Sequence, residues 1–120
     1  MKNFYRELLS SYKIKPHKDG FILGTDIMYF GADHTFSFYI EPSGESFIIS
    51  DQGQTISYLR ENIDINRYKD RIMDLLKRFD AIYDRGEIKS ILPSYKSNQT
   101  IRRLNNFILT VGLIANIDLI

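Results

Sequence analysis

The sequence predicts an α+β fold: a three-stranded antiparallel meander with flanking helices, a small second hairpin and a long C-terminal helix. Apolar residues alternate with polar ones in much of the first half of the chain, whereas they recur every three or four residues in much of the second half. Short links rich in turn-forming residues separate these segments. With 120 residues and a hydrophobic content of 43%, the chain is expected to form one domain over residues 1–120.

The first segment, Phe4 to Ile14, places apolar residues on one side at helical spacing. It is predicted to be a short amphipathic helix that ends before Pro16. The meander follows, and its strands are separated by four-residue links. These predicted strands are residues 21–30, 35–41 and 46–50.

The pairing of the strands is predicted from the rule that opposite residues share one face of a sheet. One register of the two hairpins places the apolar side chains on one face and leaves an outer face that is mixed and more polar. In this register Tyr39 lies on the outer face, opposite Asp26. The pairs that close the two hairpins are Phe30 with Thr35 and Glu41 with Ser46.

The helices after the meander are placed by their start signals. Gly53 lets the chain turn sharply, and Thr55 is predicted to be the N-cap of a helix because its hydroxyl can accept a backbone N–H. Asp64 is predicted to cap a second helix, and Ser97 a final one. The periodic apolar residues of the final segment predict a long C-terminal helix.

The second hairpin is predicted to have the three-residue loop 84–86, which would place Ile82 opposite Ile88. Its second strand spells a Glu-x-Lys triplet, with Glu87 and Lys89, of the kind that holds Mg²⁺ and steadies an attacking water in nucleases. The sequence does not clearly place a further acidic residue on a paired strand. The preferred interpretation is therefore a solvated hairpin, and a metal-dependent nuclease is the weakest alternative. The acidic residues considered for that position are Asp74, Asp80 and Asp84.

The order of these elements resembles the family of domains of unknown function numbered 1828. The strongest part of the resemblance is the motif Asp51-x-Gly53-x-Thr55, in a segment that runs from Ile49 to Leu59. The resemblance implies a prokaryotic protein, often encoded in phage or other mobile DNA, and implies no established activity. Its other parts are Gly20 to Thr25, Asp33 and Phe36 to Ile40.

Composition excludes several classes of function. Cysteine is absent, which excludes disulfides, thiolate catalysis and Cys-ligated metals. Sixteen Lys and Arg against fifteen Asp and Glu give a net charge of +1, so no global field attracts the protein to nucleic acid or lipid. The N-terminal segment lacks a long apolar run, so neither a signal peptide nor a membrane span is expected, and the cytoplasm is the expected location. No cofactor-binding loop or nucleophile pattern occurs, and no catalytic residue or cofactor is assigned.

Acidic residues around the first sheet could suggest a metal site, but a metal needs ligands that converge on one point. The predicted register separates these residues, so no metal is assigned. Instead, Asp33 is expected to stabilise a turn, and Asp51 to accept backbone N–H bonds where the third strand meets the helix. The group considered comprises Asp26, Asp33, His34 and Asp51.

Residues 67–103 form the most basic region of the chain, with ten Lys and Arg against five Asp and Glu. They could contact nucleic acid, although Asp70 and Asp74 interrupt the cations and favour a solvated helix face. The arginines that would make these contacts are Arg67, Arg71, Arg78, Arg102 and Arg103.

The predicted outer face of the meander offers a different surface, because Met28, Tyr39 and Ile48 would make it partly apolar. The sequence leaves open whether a helix covers this face. The leading hypothesis is a small non-enzymatic module that binds a protein partner and regulates or inhibits a host defence protein, with homo-oligomerisation as a further possibility. The alternative is nucleic-acid binding by the Arg67–Arg103 region.

Overall fold

A computed structural model describes residues 12–28, 35–93 and 98–119, except for the side chains of residues 26–28 and 98. The described residues form one antiparallel sheet of six strands and three α-helices, in agreement with the predicted α+β class. The strands are β1 (Lys13–His17), β2 (Gly20–Met28), β3 (Thr35–Ser43), β4 (Ser46–Ser50), β5 (Ile82–Asp84) and β6 (Glu87–Leu92). The helices are α1 (Gln54–Asn62), α2 (Lys69–Arg78) and α3 (Asn98–Ala115), with 3₁₀ turns at Ile65–Tyr68 and Ile117–Leu119.

The strand order across the sheet is β1-β2-β3-β4-β6-β5. The predicted meander is present as β2-β3-β4 and forms the centre of the sheet. The second hairpin is not a separate unit, because β6 pairs with β4 and so extends the same sheet. The long C-terminal helix is present as α3, which has 18 residues.

The predicted register of the meander is wrong, although it assigns the described side chains of these strands to the correct faces. Tyr39 pairs with Ile22, not with Asp26, because the β2–β3 pairing is displaced by four residues along β2. An irregularity between Gly24 and Met28 changes this register within the strand. A shift by an even number of residues keeps every side chain on its face, since the side-chain period of a strand is two.

The β3–β4 hairpin is also tighter than predicted. Ser43 pairs with Ser46 around a two-residue turn whose first residue, Gly44, has φ of 62°. The predicted pairing of Glu41 with Ser46 is therefore off by two residues. This error again leaves the faces unchanged.

The predicted loop length of the second hairpin is also wrong, and this error changes the face on which a residue lies. Its loop has two residues, Arg85 and Gly86, both with positive φ, as a type I′ turn requires. Ile88 consequently pairs with Tyr83, whereas Ile82 pairs with Lys89. This slip of one residue places Ile82 on the face opposite to Ile88, so that Ile82 is 60% exposed and Ile88 is fully buried.

The described part of the first segment is a strand, not the end of a helix. Lys13 and Ile14 belong to β1, which the sequence analysis missed, and the predicted helix otherwise lies outside the described residues. Pro16 was predicted to end a helix, but proline is also tolerated in an edge strand, where its missing N–H costs no ladder hydrogen bond. In a hairpin closed by a two-residue turn, His17 exchanges hydrogen bonds with Gly20 while the nitrogen of Pro16 points to the free edge.

The helix starts differ from the predictions in detail. Gly53, with φ of 80°, is the N-cap of α1, and Thr55 lies inside the first turn. Asp64 precedes a 3₁₀ turn, closed by a bond of 3.1 Å from the Arg67 N–H to the Asp64 carbonyl, and its side chain makes no cap hydrogen bond. The helix α2 begins only at Lys69. Ser97 lies outside the described residues.

One hydrophobic core lies between the sheet and the helices. Phe38, Phe47 and Ile88 face this core from the sheet, and all are fully buried. Phe107 of α3 meets Phe38 edge to face, with the ring centroids 5.6 Å apart. The described helices contribute to this one core cluster, which leaves the other side of the sheet without a described helix over it.

Candidate functional site

The side of the sheet that faces away from the core is called the open face. Its apolar members are Ile22, Tyr39, Ile48, Ile82 and Ile91, and its polar members include Lys13, Lys15, His17, Glu41, Ser50, Asp84, Glu87 and Lys89. The strand pairing places all of these side chains on one surface because cross-strand partners share a face.

Tyr39 lies near the middle of the open face and is half-buried. It pairs with Ile22 across the β2–β3 ladder, and the His17 ring meets it edge to face at a centroid distance of 5.6 Å. Partial burial, and then the negative charges of Glu41 and Asp19, raise the pKa of the Tyr39 hydroxyl. The hydrogen bond that the hydroxyl donates to Glu41 acts in the same direction, whereas the bond from the Asp19 backbone N–H lowers the pKa. The phenol is therefore neutral at physiological pH.

Three isoleucines extend the apolar surface towards β5. Ile48 pairs directly with Ile91 on β6, and it is a diagonal neighbour of Tyr39. Ile91 is 58% exposed and Ile82 is 60% exposed, so both add apolar area to the same surface. Sequence reasoning placed Tyr39 and Ile48 on this face but missed Ile82 and Ile91. Their contribution depends on β6 pairing with β4, a contact between distant segments that no local pattern signals.

Met28, the third residue predicted for this surface, belongs to β2 and pairs with Thr35, the residue for which the sequence had predicted Phe30 as partner. Its side chain lies outside the described part of the structure.

A charged cluster closes the open face on the β6 side. The Lys89 ammonium lies 3.5 Å from a carboxylate oxygen of Asp84 and 3.6 Å from one of Glu87. The second Glu87 oxygen accepts a hydrogen bond of 2.6 Å from the Ser50 hydroxyl, which in turn accepts one of 2.9 Å from the Gln52 N–H. Contrary to the sequence analysis, Asp84 does lie on a paired strand, directly opposite Glu87.

This cluster does not have the arrangement of a metal site. The lysine ammonium already forms ion pairs with both carboxylates, and a hard cation such as Mg²⁺ needs several oxygen ligands of its own. Among residues 12–28, 35–93 and 98–119, no three acidic or histidine side chains are grouped so that they could hold a metal. Of the four residues considered from the sequence as a possible metal site, only Asp51 lies wholly within the described residues, because the Asp26 side chain, Asp33 and His34 lie outside them.

Asp51 stabilises the corner where β4 meets α1, and only 1% of its surface is exposed. One carboxylate oxygen accepts the N–H groups of Gly53 and Ile88, both at 2.9 Å, and the other accepts the Thr55 N–H at 3.2 Å. The carboxylate thus provides the cap that the sequence analysis had assigned to the Thr55 hydroxyl. It also ties the second hairpin to the start of the helix, and its oxygens face the protein rather than a ligand.

The predicted basic region is partly neutralised. Arg78 pairs with Asp74 at 2.8 Å, as its spacing of four residues indicated, and Arg103 pairs with Asp80 at 3.2 Å. The Arg103 guanidinium also donates to the carbonyl of Ile91 at 3.3 Å, so it is held against β6. Of the other arginines predicted to contact nucleic acid, Arg102 is exposed on α3 and Arg71 on α2, whereas Arg67 lies in the 3₁₀ turn that precedes α2.

The described helices include none with the length and apolar composition that a membrane span requires. No family model matches the chain, and no curated protein and no solved structure shows a significant similarity to it.

Proposed function

We propose that the protein is a non-enzymatic module that binds a protein partner through its open face. One observation supports this proposal more than any other. In the described part of the chain the helices pack on the core side, and the opposite side presents a tyrosine and several isoleucines to solvent. A sheet face of this kind is a typical interaction surface, because apolar side chains that stay exposed gain free energy when a partner covers them.

The composition of the open face supports protein as the partner class. A half-buried tyrosine at the centre is a typical anchor, since tyrosine is enriched among the residues that dominate binding energy. Charged groups surround this apolar centre: Lys15 and His17 lie on the β1 side, and the cluster around Lys89 lies on the β6 side. An apolar centre with a polar rim is the usual anatomy of a protein interface.

The resemblance to the 1828 family extends the proposal to biological context. A partner-binding module encoded in phage or mobile DNA would act on a host protein, and regulation or inhibition of a defence protein is the role we propose for it. The proposal places the protein in the cytoplasm, where such a partner would be met.

The experiment compares partner capture by variants of the open face with capture by a matched control. Tagged wild-type protein, Tyr39→Ala, Ile91→Lys and Leu109→Lys are incubated with lysate of the native host, and retained proteins are quantified by mass spectrometry. Leu109 is the control because it lies on α3 and is 53% exposed, close to the 58% of Ile91. We expect the captured partner to be lost with Ile91→Lys and weakened about 30-fold with Tyr39→Ala, as for a central anchor worth about 2 kcal/mol.

Other outcomes would contradict this proposal. Equal capture by Ile91→Lys and wild type would exclude the open face as the docking surface. Self-association of the wild type that Ile91→Lys abolishes would make a second copy the occupant. Binding to duplex DNA that falls steeply with salt, and that Arg102→Ala/Arg103→Ala abolishes, would support the nucleic-acid alternative. Four phosphate contacts would weaken such binding about 150-fold between roughly 50 and 200 mM salt.

A further inference from the structure

The helix layer contains a small open pocket on the side of the protein opposite to the open face. It lies between α1, the 3₁₀ turn with α2, and strand β5, and its volume is about 180 Å³. Ile56 and Ile72 are buried at its base, while Met73 and Tyr83 are 50% and 41% exposed at its wall. The pocket is therefore a predominantly apolar depression that is open to solvent.

The size of the pocket restricts its occupant. A cavity of about 150 Å³ accommodates one benzene ring, whereas sites for cofactors and drug-sized ligands measure about 300–1,000 Å³. A volume of 180 Å³ thus corresponds to one aromatic or large aliphatic side chain. In many protein complexes, one side chain that inserts into a pocket of the partner contributes much of the binding energy.

The charges around the pocket indicate the charge that a bound segment should carry. Arg60 and Lys69 line it, and no carboxylate residue does. Within the described part of the chain neither cation forms an ion pair, and the Arg60 guanidinium makes a marginal contact of 3.5 Å to the Tyr83 hydroxyl. Two cations beside an apolar cavity are complementary to an apolar group flanked by carboxylates.

We propose that this pocket binds a single aromatic or large aliphatic side chain of an acidic segment in a protein partner. The apolar side chain enters the cavity between Ile72 and Tyr83, and acidic neighbours in the segment meet Arg60 and Lys69. This site does not rest on the function proposed for the open face, since the two surfaces share no residue. The protein then has two docking surfaces on opposite layers, one broad and one with a single anchor.

The test uses two synthetic peptides that differ only in charge: one phenylalanine flanked on each side by two glutamates, or by two lysines. Each is titrated against uniformly ¹⁵N-labelled full-length protein while amide shifts are followed. We expect saturable shifts around the pocket with the glutamate peptide, and binding weaker by about tenfold or more with the lysine peptide.

Substitutions in the pocket then test whether the peptide binds there. Arg60→Gln/Lys69→Gln is expected to weaken binding of the glutamate peptide about tenfold, whereas Lys77→Gln/Arg102→Gln, which removes two exposed charges elsewhere, is expected to change it less than about twofold. Met73→Asp should abolish binding by placing a carboxylate on the wall of the pocket. Its control, Leu109→Asp, makes the same change at an equally exposed apolar residue of α3. Amide spectra of each variant establish that the fold is intact.

Three results would overturn the proposal. One is equal affinity for the two peptides. A second is a set of shifts confined to the open face, which would assign acidic segments to that surface. The third is tighter binding of 3-phenylpropionate than of the glutamate peptide, because the pocket would then be a site for a free aromatic carboxylate.

Discussion

Replacement of Asp51 by alanine tests the structural role of the most buried carboxylate in the described chain. The substitution removes the acceptor of three backbone N–H groups, those of Gly53, Thr55 and Ile88. A hydrogen bond to a charged acceptor contributes about 1.5–3 kcal/mol. Ile88 is fully buried, so its N–H would be left without an acceptor and the full cost of that loss would lower the stability. Gly53 is half-exposed, so its N–H can form a hydrogen bond to water instead.

We therefore expect Asp51→Ala to lower the free energy of unfolding by about 4 kcal/mol, a large part of the roughly 5–15 kcal/mol of a domain. Asp51→Asn should cost about 2 kcal/mol, because its remaining oxygen serves Gly53 and Ile88 while its amide group faces the Thr55 N–H as a second donor. Urea unfolding followed by circular dichroism measures both values. The matched control is Asp64→Ala, since Asp64 makes no cap hydrogen bond and should change stability by less than about 0.5 kcal/mol.

A loss as small as that of the control in Asp51→Ala would refute the reasoning, because it would mean that the three N–H groups do not depend on the carboxylate. A different result would be equally informative. If Asp51→Asn folds with near-normal stability but no longer binds its partner, the carboxylate acts on a ligand, and an enzymatic or metal-dependent function returns to consideration.

Two further predictions concern the sheet. Phe38→Ala should cost about 3–5 kcal/mol in urea unfolding because it opens a cavity in the core, whereas Tyr39→Ala on the open face should cost much less; similar midpoints would show that the two faces are assigned wrongly. Gly20→Ala should prevent folding or cost several kcal/mol, because a β-carbon there would overlap the backbone of Ile40, while Gly24→Ala should be neutral or stabilising by up to about 1 kcal/mol, since the nearest atoms lie at 3.7 Å. Thermal melts of the two glycine variants that coincide would contradict the close approach at Gly20.

The sequence predicted which side chains face the core better than it predicted which strands pair. Alternation fixes the face of a residue locally, so Phe38 and Tyr39 were assigned correctly although their strand partners were not. Register depends on the turn, and the predicted turn was too long in the β3–β4 hairpin and in the β5–β6 hairpin. The register errors in the meander were shifts by even numbers of residues, which leave side chains on the same face. The error in the second hairpin was a shift by one residue, and it placed Ile82 on the wrong face.

The site was only partly predictable for a related reason. Tyr39 and Ile48 belong to a meander whose strands are neighbours in sequence, so their common face follows from local pattern. Ile91 joins them only because β6 crosses back to β4 after two helices, and this pairing is an outcome of packing. The pocket at Tyr83 likewise combines three separate elements, and no spacing in the sequence could indicate it.

The two edges of the sheet have a consequence for how a partner can attach. At one edge, β1 carries Lys13, Lys15 and a proline whose nitrogen faces outward, and at the other edge β5 has only three residues. Both are features by which natural sheets resist the addition of a further strand. These edges disfavour the addition of a partner strand through backbone hydrogen bonds, a mode in which the main chain supplies much of the affinity. The partner proposed for the open face would therefore be recognised through side chains, and the isoleucines of that face lie on a sheet whose described edges disfavour strand-by-strand aggregation.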